Sequence, residues 1–374
     1  MLQRGSIHSH LNLRDKIFSL DPILFFSILF LGIISFFAMY STDGGQFAYH
    51  TKSHIIRFCV FFTLFIVVSF FQANFWYNSS TFIYIGILAL LLLVKYFGLT
   101  SSGSQRWLNL YFLNLQPSEL MKVALIMFLA KYYHRVSSGD VNRAKYLLTP
   151  LFVLITPVVL VLTQPDLGTA FLIGVGGAVV IWLAGVKMKF FAYLAAIFLS
   201  IAPIAISFLK PYQKARILTF LDPSRDPLGA GYQITQSKIA IGSGGLFGKG
   251  FLNGSQSYLD YLPEKHTDFI FTLFSEEFGF FGSCLVLGIY VIITLRIVAI
   301  GNLVRDTFAK LYCYSFATAF FIYVAVNMGM VLGLIPIVGA PLPILSYGGS
   351  SMMAMMLGLG ITMSCKIHKD QPVS

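Results

Sequence analysis

The sequence predicts an all-α, polytopic membrane protein of about ten transmembrane helices, and three observations carry that prediction. Hydrophobic residues make up 57% of the 374 and charged residues only 11%, against roughly 25% charged in an ordinary soluble domain. The apolar residues fall in continuous runs of about 20, where an outer-membrane β-barrel would alternate over about ten. Lysine and arginine gather in alternate connecting segments. With 37 Phe and a mean hydropathy of +0.78, no water-soluble surface can be assembled from the remainder. A soluble Rossmann or barrel enzyme and a disordered chain are therefore excluded.

The runs place spans at 21–40, 54–72, 80–98, 117–134, 148–163, 168–186, 190–209, 268–295, 311–332 and 346–364. A basic tail, 1–20, precedes the first run, and no small-residue cleavage site follows it. The run therefore reads as a retained helix rather than a signal peptide. Basic residues then set the orientation. With the N-terminus inside, fourteen lie in inner segments and three, Lys52, Lys95 and Arg106, in short outer loops. Both termini, including the tail 365–374, are expected in the cytoplasm. The chain, 1–374, reads as one membrane domain with a long extracytoplasmic loop at 210–267, and connections of that length are usually functional.

The net charge of +11 fits this topology and assigns no nucleic-acid partner. Cys59, Cys284, Cys313 and Cys365 are dispersed, so neither a disulfide framework nor a zinc site is supported. Two similar helix starts, Gln116-Pro117-Ser118-Glu119 and Gln164-Pro165-Asp166-Leu167-Gly168, enter from the same face, and proline suits a first helical turn. In the long loop, the glycine-rich run Ile241 to Gly250 misses the P-loop spacing by one residue and puts Gly250 where a magnesium-binding hydroxyl must stand. It reads first as a flexible or re-entrant turn, and second as a backbone-amide nest for a diphosphate.

Ionisable groups inside a bilayer are costly and mark candidate sites. Glu119 and Lys122 share a helix face and neutralise each other, as a structural pair or as a polar wall where Lys122 meets a phosphate. Arg57 reads as snorkelling to the outer surface. Asp268 opens the eighth span, where a helix N-terminus stabilises a carboxylate. Glu276 and Glu277, being adjacent, cannot both face one cavity, so at least one is a structural acceptor or is held protonated. Asp166 opens the sixth span in the same way as Asp268. Together these place carboxylates, cations and a long loop on the outer face of an apolar bundle, which suits a ligand with an anionic head and a greasy tail.

The ordered motifs Gln105-Arg106-Trp107-Leu108, Gln116-Pro117-Ser118-Glu119 with Lys122, Gln164-Pro165-Asp166-Leu167-Gly168-Thr169, Arg216 to Phe220, Gly231-Tyr232-Gln233, Gln236-Ser237-Lys238, Tyr261-Leu262-Pro263-Glu264-Lys265-His266-Thr267-Asp268 and Leu345-Ser346-Tyr347-Gly348-Gly349-Ser350 resemble the SEDS family, the shape, elongation, division and sporulation proteins. Gly254-Ser255-Gln256-Ser257 and the short N-terminal tail are more similar to its elongation branch than to its division branch. The resemblance implies a peptidoglycan glycosyltransferase acting on lipid II and the nascent glycan strand at the outer face of the bacterial cytoplasmic membrane. A class B penicillin-binding protein and other elongation-complex membrane proteins are the implied partners. Asp268 matches the family's essential aspartate; Trp107, Glu119, Lys122 and Asp166 match cavity-lining positions, and Glu264, His266 and Thr267 flank the aspartate.

On this reading, a β-1,4 bond forms from an α-linked polyprenyl diphosphate donor with inversion, so one displacement and one base suffice. Asp268 is the candidate base, and Lys122, Arg106, Arg216 or Lys238 would offset charge on the leaving diphosphate. Trp107 stacks on a sugar or anchors at the interface. No cofactor is assigned; a divalent cation, Mg or Mn, has a place at the diphosphate, but no ligand cluster is legible. Lipid II transport and a non-catalytic scaffold for a transpeptidase are the competing classes.

Overall fold

A computed structural model describes residues 12–101, 104–109, 114–137, 139–207, 214, 218–220, 222, 225–226, 229–255 and 264–373. The helices are α1 (Leu13–Phe18), α2 (Pro22–Thr42), α3 (Tyr49–Phe70), α4 (Ala73–Phe97), α5 (Pro117–Arg135), α6 (Ala144–Thr163), α7 (Leu167–Leu183), α8 (Met188–Ser207), α9 (Ala230–Ser243), α10 (Ile270–Leu303), α11 (Thr307–Val331) and α12 (Gly349–Ile367). Between α4 and α5 lies a three-stranded antiparallel sheet of β1 (Leu99–Ser101), β2 (Ser104–Asn109) and β3 (Asn114–Leu115), with Leu99 opposite Trp107 and Leu108 opposite Leu115.

Each expected span has a helix, and the differences have local causes. The α4 helix begins at Ala73 rather than 80, because Asn74, Asn78 and Ser79 lower hydropathy without breaking a helix. Pro117 stands at the first position of α5 as proline should. Pro165 instead precedes the cap of α7, and Asp166 is the cap, accepting from the Thr169 amide at 3.1 Å. Helix α9 lies within the stretch read from sequence as loop, and the sheet lies in a connection that had no assigned structure.

Among the described residues, α2, α3, α4, α6, α10, α11 and α12 are long and apolar enough to cross a membrane, and Leu167–Leu183 and Met188–Ile197 are shorter apolar helices. Large side chains point outward: Phe82, Phe97 and Phe152 are 79%, 75% and 73% exposed, an arrangement that suits lipid rather than water. The α5 helix is the exception. It is buried nearly from end to end among α4, α6, α7, α11 and α12, so its charged groups meet protein instead of hydrocarbon.

At one end of the bundle, Asp21 caps α2 through the Leu24 amide (2.9 Å) and pairs with Arg296 of α10 (2.5 Å) and Lys366 of α12 (3.3 Å). Burial pushes this carboxyl up in pKa, but hydrogen bonds from Arg296 and Leu24 and the charge of Lys366 bring it below its ordinary value.

At the other end, α10 is interrupted. Gly279 is non-helical at φ 66°, ψ −160°. In an unbroken helix the amides of Phe280 and Phe281 would donate to the carbonyls of Glu276 and Glu277. They donate instead to Gly245 (2.9 Å) and Leu246 (3.2 Å), and the two stranded carbonyls accept from Lys249 (3.0 Å) and Gly250 (3.0 Å). The glycine-rich run thus forms a turn packed against the break in α10, with the Lys249 and Gly250 amides already engaged. Glycine is required at the crossing: a Cβ on Gly248 would stand 2.0 Å from the Glu277 carbonyl oxygen, and one on Gly279 would stand 2.3 Å from the Gly248 nitrogen.

Both carboxylates of the pair are structural acceptors. Glu276 Oε1 receives Lys249 Nζ (2.6 Å) and the Ser255 amide (3.0 Å) and hydroxyl (2.8 Å), while Glu277 receives the Ser41 hydroxyl. Gly248→Ala is expected to cost about 3 kcal/mol through strain at positive φ and backbone overlap. Gly86→Ala, in a helix with nothing within 4 Å, serves as the neutral control. Thermal unfolding in detergent measures both, and equal midpoints would refute the crossing.

Candidate active site

The starts of α3, α5, α7, α10 and α12 meet at the end of the bundle that carries Asp268. This residue is half-buried in the turn 264–269, immediately before Phe269, the cap of α10. The helix begins at Ile270 rather than at 268, with Phe269 as its cap, so Asp268 lies beside the helix terminus. Its main chain is fixed from α11. The Asn327 amide donates to the Asp268 carbonyl at 3.1 Å and to the Ala340 carbonyl at 2.6 Å. Asp268 Oδ2 faces Gly339, where an added Cβ would be 3.7 Å away.

One helical turn before Asn327, Tyr323 is within electrostatic reach of Asp268 and joins it to the polar centre of α5. Its hydroxyl donates to Glu119 Oε2 (3.4 Å) and lies 3.2 Å from Ser351 Oγ. Lys122 Nζ is 2.9 Å from both Glu119 oxygens and 4.0 Å from the centre of the Tyr323 ring. Both charges are buried and each neutralises the other. The cavity beside Lys122 is about 20 Å³, room for roughly one water. The sequence left open a structural pair or a cavity wall, and the ion pair itself is formed.

A second network lies alongside. Asp166 accepts from the Thr169 hydroxyl (2.9 Å) and from Gln116 Nε2 (3.3 Å), and pairs with Arg106 at 3.6 Å, whose other nitrogen donates to the Pro165 carbonyl (3.1 Å). The Gln116 amide donates to Ser350 Oγ (2.9 Å), which donates to the Asn114 carbonyl (2.9 Å). Four motifs separated in sequence thus become one surface. Lys122 also feels the Asp166 charge, which couples the two networks. Trp107 is half-buried on β2, next to Arg106.

Lys238 is exposed on α9, its side chain resting against Gly333. The helix is held there by Ser237, which donates to the Val331 carbonyl (2.7 Å) and lies 2.9 Å from Thr272 Oγ1. Glu264 and Thr267 close the Asp268 turn through a 2.9 Å hydrogen bond. Arg216 and Tyr261 to Pro263 lie outside the described residues.

His266 engages Asp43 and His50. Its Nε2 is 3.1 Å from Asp43 Oδ1, and its ring stacks on His50 at 4.1 Å. Burial and the neighbouring His50 bring its pKa below the ordinary histidine value. Burial pushes the Asp43 carboxyl up, but hydrogen bonds from Thr51 and His266 outweigh it and leave the group below its usual value. Arg57 does not snorkel freely: its guanidinium lies 4.5 Å from the centre of the Tyr347 ring, and the Tyr347 amide donates to the His266 carbonyl at 2.8 Å.

Sequence reasoning passed over Tyr323, Asn327 and Asp43. A lone asparagine in an apolar run was the available signal for Asn327. Nothing local marked Asp43, which acquires its neighbours only through the fold.

Residues 17–371 match the family described as Cell cycle protein, whose model is named for FtsW, RodA and SpoVE. Over 357 residues the chain is 38% identical to the peptidoglycan glycosyltransferase MrdB of Escherichia coli K12, covering 95% of each chain. It is 35% identical to the probable peptidoglycan glycosyltransferase FtsW of Tolumonas auensis, covering 90% of this chain and 89% of that one. Its fold is similar to a chain from a structure titled for polymerization and crosslinking by a peptidoglycan synthase complex, with a TM-score of 0.82, 29% identity, and coverage of 94% and 98%. The rod shape determining protein RodA of Thermus thermophilus gives a TM-score of 0.71 at 25% identity, with coverage of 94% and 97%. The protein is therefore a member of the FtsW, RodA and SpoVE family, the SEDS family its motifs resemble.

Proposed function

We propose that this protein is a peptidoglycan glycosyltransferase of the elongation branch, polymerising lipid II into β-1,4-linked glycan at the outer face of the cytoplasmic membrane. The observation that carries the reading is the half-buried Asp268, tethered through its backbone to Asn327 beside the Arg106–Asp166 surface, in a chain 38% identical to a named peptidoglycan glycosyltransferase over 95% of its length. Ten helices, α2 to α8 and α10 to α12, then cross the bilayer. The fourteen basic residues expected inside support placing Asp268 at the exterior.

The acceptor's 4-hydroxyl oxygen attacks the donor's anomeric carbon and passes its proton to the Asp268 carboxylate. The bond from that carbon to the polyprenyl diphosphate oxygen breaks, the diphosphate keeps the electron pair, and the configuration inverts. Arg106, Lys238 and, by resemblance, Arg216 offset the departing charge. Lys122 holds Glu119 and positions α5 against α11, and Trp107 offers a sugar platform beside Arg106. Glu264 and Thr267 shape the turn that carries the base. A class B penicillin-binding protein is the proposed partner, supported by the synthase-complex likeness. Among the described residues, the one cluster with ligand spacing is Asp43, His50 and His266. Its two imidazoles do not fit magnesium's preference for oxygen, and no step is assigned to a metal.

Transport is disfavoured by α5 itself. Between Lys122 and Lys131 it carries only apolar residues, Val123 to Ala130, which offer no polar path through the bundle.

Asp268→Asn is expected to lower polymerisation of purified lipid II about 10²–10⁴-fold with an unchanged melting temperature. Glycan strands resolved on gels, with the partner present, provide the measurement, and near-normal turnover removes Asp268 from the base role. Lys122→Ala leaves Glu119 buried and unpaired, at a cost of about 3–5 kcal/mol, and should depress both stability and activity. Lys265→Ala, at a half-buried turn position, should change little, and equal losses from the two variants would contradict the assignment.

A further inference from the structure

The turn 264–269 carries Asp268, and its internal hydrogen bonds converge on Glu264, whose carbonyl accepts from the Thr267 amide (3.2 Å) and the Phe269 amide (3.3 Å). Such a turn moves as a unit, so its orientation is set from outside. Three neighbours supply that hold. Asn327 of α11 donates to the Asp268 carbonyl (3.1 Å), and the Tyr347 amide, ahead of α12, donates to the His266 carbonyl (2.8 Å). The third is Asp43, directly after α2, whose Oδ1 lies 3.1 Å from His266 Nε2. We infer that Asp43 is a positioning residue for the glycosyl transfer, acting through His266 to fix the direction in which the turn presents the Asp268 carboxylate. The inference rests on the transferase reading of Asp268 and extends it to a side chain outside the reacting set.

Helix capping accounts for half of what Asp43 does. Its Oδ2 accepts from the Thr51 amide (2.8 Å) and hydroxyl (2.6 Å). Thr51 stands in the first turn of α3, whose cap residue, Ala48, supplies no side-chain bond. A cap needs one oxygen. The other, Oδ1, reaches across 223 residues of sequence to His266. Capping does not call for that contact, and α2 does not call for the charge: Asp43 is its C-terminal cap, where unpaired carbonyls repel an anion. The carboxylate is packed in all the same, with 4% of its side chain exposed.

Two backbone anchors leave the turn one motion, a pivot about the line that joins them. A contact at the end of the His266 side chain, off the main chain, removes that pivot. The hydrogen bond also has a fixed sense. Burial raises the Asp43 carboxyl, but hydrogen bonds from Thr51 and His266 leave it below its usual value, so it is ionised and only accepts. His266 Nε2 must then carry the hydrogen, which sets the tautomer and the plane of the ring. His50 covers one face of that ring at 4.1 Å, with planes 22° apart. The imidazole is thus held at its edge by a carboxylate and on its face by a second imidazole. Misplacing a reacting group by about 1 Å costs up to about 10²-fold in rate, so a pivot of this turn is enough to slow the transfer.

The test uses the purified full-length chain with its proposed transpeptidase partner, turning over lipid II. Asp43→Ala and His266→Phe should each lower kcat about 10- to 100-fold, with KM changed less than about threefold. His266→Phe keeps an aromatic ring against His50 and leaves the α3 cap intact, which guards against loss of fold. Adding Asp43→Ala to His266→Phe should lower kcat no further, because the two side chains act as one unit. His266→Gln, whose amide nitrogen can stand near the Nε2 position, should recover about fivefold over His266→Phe, the worth of one hydrogen bond. In the chain without substrate, hydrogen exchange of residues 264–269 should quicken in both single variants. Parent-like kcat in His266→Phe, losses that multiply in the double variant, or unchanged exchange overturns the assignment. A parent chain that makes no glycan removes the transferase reading instead, and the exchange result still decides whether Asp43 holds the turn.

Discussion

The arrangement depends on an exchange of hydrogen bonds at the break in α10. A helix interrupted at membrane depth strands two amides and two carbonyls, and hydrocarbon offers them no partner. Here the turn at 245–250 supplies two carbonyls and two amides in return, so no backbone group is lost. The exchange requires backbones to approach within contact of each other, which fixes glycine at both crossing positions. It also ties the middle of the long loop to the helix that begins just after Asp268. Glu276 and Glu277, two acids on one apolar helix, complete the join by accepting from Lys249, Ser255 and Ser41.

Above that join, the polar end of the bundle follows one rule: each buried charge has a partner on a different motif or one turn away. Lys122 meets Glu119, Arg106 meets Asp166, and Tyr323 spans from Glu119 toward Asp268. Positions that read as isolated motifs in sequence become mutually dependent supports. The Asp268 backbone is held from α11, and the residue itself remains half-buried.

The helices were legible because a bilayer demands long apolar runs, and no other solvent imposes so plain a pattern. Their ends were less so: hydropathy stops at Asn78 whereas the helix runs back to Ala73, and Asp268 looks like a helix start although the cap is Phe269. The small sheet and α9 carry too few apolar residues to register. Glu276 and Glu277 were legible as a problem but not in their solution, since nothing near residue 276 in sequence names Lys249 as its partner. The site was read by resemblance and by misplaced charge, so neutral members such as Tyr323 and Asn327 escaped. The Asp43, His50 and His266 group escaped because its members come from two segments, around the α2–α3 connection and in the turn before α10, that only folding brings together.

The clasp at the opposite end bears on biogenesis. Asp21 is made early, but Arg296 and Lys366 are separated from it by most of the chain. During synthesis the first long helix enters the bilayer with its capping carboxylate lacking both cations, and contacts of such sequence separation form late. A chain halted before residue 296 therefore holds Asp21 with neither of its cations, and the two ends of the molecule close on each other only when synthesis is nearly done.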